Sequence, residues 1–375
     1  MSDAISPASI DIGGEVLDDL KQRLGTTRWP EKETVDDWNQ GLPLAYAQEL
    51  AQYWEYQYDW KRWEVKLNHW NPCSTVIDGL EIFFLHVQSP HPDALPMIMT
   101  HGWPGSIVEF HKVIDPLTQP EDPARAFHLV IPCLPGYGFS GKPTAPGTSA
   151  EAIGRLWGKL MARLGYDRYV AQGGDWGALV TQCMGTSETE HCAGIHINMP
   201  ICPPGEEDLA DLTEFEQQAL AGMDHYSQWD SGYSKQQSTR PQTLGYGLAD
   251  SPVGQMAWIV EKFWSWMDCD GHPENVLSKD ELLDNVMMYW VTNTGASSAR
   301  LYWESFNKPN LDPIAMPVGA SIFPKEIFRC SRRWAEKRYS NIIHWNQLDK
   351  GGHFAAFEQP AVFVDELRNC FAQLR

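Results

Sequence analysis

Asp175, His353 and a carboxylate lying between them in the chain are the side chains best placed to do covalent chemistry. Asp175 stands in YVAQGGDWGAL, residues 169–179, where a strand-like run meets a helical one through a small–x–Asp–x–small turn. The flanking glycines suit a strained turn crowded by neighbouring strands. The amino end of the following helix favours an ionised carboxylate at Asp175. The plainer reading of the same fragment is an Asp that caps an ordinary helix. His353 stands in DKGGHFAAFE, residues 349–358, between the last strand-like run and the last helix. That loop is where a general base is expected. The acid that orients such a base must reach it from a strand end. Glu326, in SIFPKEIF, follows the strand-like run 316–323, whereas the rival Glu304, in LYWESF, precedes it. Glu326 is therefore preferred.

The chain order nucleophile, acid, histidine is that of the α/β-hydrolases, and the turn around Asp175 is their nucleophile elbow with Asp in place of Ser. THGWPGS, residues 100–106, follows the strand-like PMIM and sits where these folds supply an oxyanion-binding N–H. The two N–H groups are then those of Trp103 and of Trp176, the residue after the nucleophile. An elbow without Ser disfavours an acyl-transferring esterase. A carboxylate nucleophile forms an ester by alkylation, which suits an epoxide or an alkyl halide. A dehalogenase is the nearest rival, with Trp176 as a halide ligand; a non-catalytic binding protein on the same fold is the other.

These residues need a scaffold. LEIFFLHV (80–87), PMIMTHG (96–102), FHLVIPC (127–133), YVAQGG (169–174) and GIHINMP (194–200) read as buried strands, and 151–165 reads as an amphipathic helix. Strands alternating with helices imply a mostly parallel central sheet with helices on both faces. Four regions follow: an aromatic amino-terminal meander over 1–75, a first core part over 76–199, an α-helical lid over 200–306 and a second core part over 307–375. Helical runs at 255–267 and 279–295 mark the lid. The strands 316–323 and 341–347 and a last helix complete the core.

The 375 residues carry a formal net charge of -20. Phosphate backbones and anionic membranes both select basic faces, so nucleic acid and membrane-surface partners are disfavoured. The 8 cysteines form no CxxC pair, which argues against a zinc site and for free thiols in a reducing compartment. No signal peptide and no bilayer-length apolar run is evident, and a cytoplasmic location without a membrane anchor is expected.

The motifs HGWPGS, PGYGFS (135–140), GGDWG and GGHFAAFE, with the arm YWEYQYDWKRWEVKLN, resemble the epoxide hydrolases of the microsomal type over nearly the whole chain. GGHFAAFE is the most specific of them. The resemblance implies an α/β-hydrolase fold, a small-molecule epoxide as substrate, a diol as product, and no metal or organic cofactor. It also implies two lid tyrosines that hydrogen-bond the epoxide oxygen, matched here by Tyr233 and Tyr302. Its acid in an FP-x-E stretch falls on Glu326. Oligomeric state stays open, with a homodimer allowed.

Overall fold

The computed structural model describes residues 4–306 and 309–375. Its nine-stranded sheet is built from β1 (Ser6–Pro7), β2 (Pro72–Ile77), β3 (Leu80–Val87), β4 (Leu95–Thr100), β5 (Phe127–Pro132), β6 (Tyr169–Gly173), β7 (Cys192–Ile197), β8 (Val318–Ile322) and β9 (Ile342–Gln347). The spatial order is β1-β2-β3-β5-β4-β6-β7-β8-β9. β1, β2, β3 and β5 pair antiparallel in succession, and every pairing from β5 through β4 to β9 is parallel. The central strands β6 and β8 are buried along their full length, as strands covered on both faces must be. The helices Ala150–Arg163 and Trp176–Ser187 pack against each other beside β6.

Two elements differ from expectation. The sheet begins before residue 76: β2 crosses that boundary and forms a hairpin with β3. The turn is Asp78-Gly79, both at positive φ, a dipeptide that matches the twist of paired strands. Helical spacing just upstream masked this short strand. The helix expected over 279–295 ends at Trp290, and a second one runs over Gly295–Ser305. Asn293 between them has φ 50°, a left-handed conformation that Asn tolerates and an α-helix does not.

The aromatic arm folds as two helices, Leu44–Tyr56 and Trp60–His69, the second capped by the Asp59 side chain. Trp54, Trp60, Trp63 and Trp70 are buried. The arm grips the lid helix Lys279–Trp290: Tyr58 donates to Asp284 Oδ1 at 2.7 Å, and Arg62 Nη2 donates to both Asp284 oxygens at 2.7 and 2.9 Å. That helix in turn holds the loop after β4. Asn285 Nδ2 donates to Pro104 O at 2.7 Å, Tyr289 Oη to Gly105 O at 2.6 Å, and Ser106 Oγ to Asn285 Oδ1 at 2.7 Å. Among the described residues, no helix is long and apolar enough to cross a membrane.

Candidate active site

Asp175 sits between the end of β6 and the helix Trp176–Ser187 with φ 50° and ψ -126°, a strained conformation for a residue with a Cβ. The strain is held by close packing. A Cβ on Gly177 would overlap Thr100 O of the neighbouring strand, and one on Gly102 would overlap the Asp175 side chain itself. Small residues at these points let the turn rise clear of the sheet. The Asp175 carboxylate does not cap the helix that follows it. Oδ1 accepts from Trp103 N at 2.7 Å, and Oδ2 lies 3.3 Å from His353 Nε2. The ordinary capping role is thereby excluded by geometry. Trp176 opens its helix, where first-turn N–H groups have no intrahelical acceptor.

His353 Nδ1 meets Glu326 Oε1 at 2.6 Å. Both side chains are buried. Burial alone would lower the histidine's pKa, but the carboxylates of Glu326 and Asp175 outweigh it and raise it well above its ordinary value. Glu304 is elsewhere: its carboxylate accepts from Gly147 N at 2.9 Å. The loop carrying His353 is fixed by Glu358, the last residue of GGHFAAFE, whose role no local pattern marks. Its carboxyl accepts from Gly352 N and Phe354 N, each at 2.9 Å, and from Asp268 N at 2.8 Å. The N–H groups on both sides of His353 are thus tied to one group, which burial pushes up to about 7.

His101 is a fully used structural histidine. Nδ1 faces Gly102 O at 2.9 Å and so carries the proton, while Nε2 accepts from Leu134 N at 3.2 Å. Burial holds it near 4, neutral at ordinary pH.

Above Asp175 lies a cavity of about 280 Å³ whose walls include Met199, Met223, Phe306 and Phe328, with Tyr233 and Tyr302 among its polar groups. Tyr233 is stacked on the Trp103 ring at 4.8 Å, and Tyr302 stands edge-on to Trp176 at 4.8 Å. Desolvation raises both phenols well above their ordinary value, so both keep their protons. Tyr226, a further aromatic of the lid, meets Tyr233 Oη at 3.0 Å. The Tyr302 hydroxyl is buried without a partner among the described residues. A buried hydroxyl left unpaired is costly, and an oxygen acceptor in the cavity would relieve that cost. No cluster that could hold a metal ion occurs among the described residues.

Two family descriptions match the chain: "Epoxide hydrolase N terminus" over residues 5–110 and "alpha/beta hydrolase fold" over 96–238. Among curated relatives, a protein of Stigmatella aurantiaca (strain DW4/3-1) is 53% identical, covering 99% of this chain and 86% of its own length. Epoxide hydrolase 1 of Sus scrofa is 34% identical, covering 98% of this chain and 88% of its own. Among solved structures, juvenile hormone epoxide hydrolase of Bombyx mori superposes with TM-score 0.93 at 29% identity, covering 100% of this chain and 95% of that one.

Proposed function

The chain belongs to the epoxide hydrolases of the microsomal type, and on that premise we propose that it opens its epoxide in two steps, through an alkyl ester on Asp175. It is a hydrolase that turns an epoxide and water into a vicinal diol. One observation carries the two-step reading: a carboxylate held by Trp103 N–H and His353 faces a cavity that also holds two protonated phenols.

Asp175 Oδ2, the oxygen not bound by Trp103, attacks a ring carbon. The C–O bond of the strained ring breaks, and negative charge gathers on the leaving oxygen. Tyr233 and Tyr302 hydrogen-bond that oxygen, and one of them transfers its proton. Alkylation removes the charge of Asp175 and with it one of the two carboxylates that keep His353 protonated. His353 thereby becomes a base in the step that needs one. It activates a water that attacks the Asp175 ester carbon, while Glu326 steadies the imidazolium. The N–H groups of Trp103 and Trp176 receive the tetrahedral oxyanion.

The apolar walls suit an apolar epoxide. Styrene oxide is expected to yield its diol, and a chloroalkane is expected to release no halide; halide without diol would favour the dehalogenase. Tyr233→Phe and Tyr302→Phe should each slow alkylation, and the double variant should lose about 10²–10⁴-fold. Undiminished alkylation in the double variant would remove both tyrosines from the mechanism.

The acid is tested by comparing two variants. Glu326→Gln should cut turnover about 10²-fold or more by leaving the imidazole unheld and less basic. Glu304→Gln, altering a group far from His353, should turn over at the wild-type rate. A larger loss at Glu304 would reverse the assignment.

A further inference from the structure

A second chamber, of about 20 Å³, adjoins Asp175 and is lined by His353, Glu109, Gln172 and Asn198, among others. Asp175 alone belongs to the linings of both this chamber and the large cavity, so it forms their partition. A space of this size takes one water, given two or more polar partners. Several polar groups around it are already engaged. His101 uses both ring nitrogens, Thr100 Oγ1 accepts from Trp157 Nε1 at 3.1 Å, and Asn198 Oδ1 accepts from Gln172 Nε2 at 3.1 Å. The groups left to a water include Gln172 Oε1, buried without a partner among the described residues, the Glu109 carboxyl, and His353 Nε2 once esterification of Asp175 Oδ2, now 3.3 Å away, frees it.

We propose that this chamber holds the water that cleaves the Asp175 ester, and that Glu109 positions it. The water donates one hydrogen to His353 Nε2 and the other to a Glu109 carboxyl oxygen. Its free lone pair is then available to Cγ of Asp175. As the O–Cγ bond forms, His353 takes the proton. The Cγ–Oδ2 bond then breaks, and the released alkoxide recovers that proton as the diol leaves.

The chain is shaped for this. The Glu109 carboxyl folds back over Gly105, where any Cβ would overlap it. It faces Asp175, His353, Glu358 and Tyr289. Burial pushes its carboxyl up to about 8, so at neutral pH it adds no negative charge beside Asp175 and Glu326.

The proposal rests on the reading that Asp175 is alkylated, and single-turnover kinetics separates the two. Ester formation and ester decay are followed on the full chain by quenching and mass analysis of the Asp175 peptide. Glu109→Leu should slow decay about 10²-fold and alkylation far less, because a misplaced nucleophile penalises only the second step. Glu109→Gln keeps a carbonyl acceptor and should restore most of the decay rate lost in Glu109→Leu. Gly105→Ala leaves Glu109 in the chain but displaces its carboxyl, and should slow the same step. Wild-type decay in Glu109→Leu, equal slowing of both steps, or no rescue by Gln would each overturn the role of Glu109. Absence of any ester in the wild type and in His353→Gln would instead overturn the reading of Asp175.

Discussion

With enzyme in excess over epoxide in heavy-oxygen water, the first turnover is expected to leave the heavy oxygen on Asp175 and an unlabelled diol. The diol takes its new oxygen from the carboxylate, and the water replaces that oxygen on the protein. Geometry specifies which one. Oδ1 is bound by Trp103 N–H, and Oδ2 lies beside His353 Nε2. On the proposed two-step mechanism Oδ2 is the attacking atom and the one exchanged. Later turnovers then carry label into the diol. Mass analysis of the peptide bearing Asp175 reads the result directly. Heavy oxygen in the diol of the first turnover would mean direct attack by water and would end the covalent reading. Asp175→Ala, lacking the nucleophile, should lose about 10⁴-fold or more in turnover, as nucleophile deletions do elsewhere.

His353→Gln is expected to form the ester and then stall. Ester formation needs the ionised Asp175 and the two phenols, none of which His353 supplies. Ester hydrolysis needs a base, and a missing base costs about 10²–10⁴-fold. The amide of Gln fits the space but accepts no proton at neutral pH. Substrate should therefore produce a burst of alkylated protein close to one equivalent, followed by slow decay. A variant that fails to accumulate ester would show that His353 acts before or during alkylation. The same logic fixes a pH dependence. The wild-type histidine is held protonated by Glu326 and Asp175, and discharge of Asp175 on alkylation lowers its pKa. Ester decay should thus keep its rate to lower pH than the pKa of the resting enzyme's His353 would allow.

Much of this arrangement was legible in the chain because its reasons are local. A strand, a glycine-rich turn and a helix must expose whatever residue sits at the apex, and Asp175 sits there. His353 is placed by the same kind of argument, through the loop before the last helix. The acid was harder. Glu326 and Glu304 both lie between nucleophile and histidine, and only the fold brings one of them to 2.6 Å from His353. Tyr233 carried no local signal of its own; it is one aromatic among several in the lid and was reached through resemblance alone. β2 escaped because it is six residues long and follows a strongly helical stretch, although Asp78-Gly79 was there to be read. Glu109, Glu358 and Asn285 escaped for another reason. Each acts partly through contacts across the chain, such as Asp268 with Glu358, 90 positions apart, and Ser106 with Asn285, 179 apart, and no spacing rule reaches that far.

The grip of the arm on the helix Lys279–Trp290, and of that helix on Pro104 and Gly105, divides the lid into two kinds of wall. That helix contributes nothing to the lining of the large cavity, which draws its lid side from Met223, Tyr226, Tyr233, Tyr302 and Phe306. One wall is therefore answerable for holding the Trp103 N–H in register, and the other for the shape of what enters. The two walls meet where the Tyr233 ring stacks on Trp103 and where Phe306 stacks on Tyr302 at 5.7 Å. A lineage would then change which epoxide it accepts more freely at Met223 than at Phe306, whose ring is tied to the machinery around Asp175.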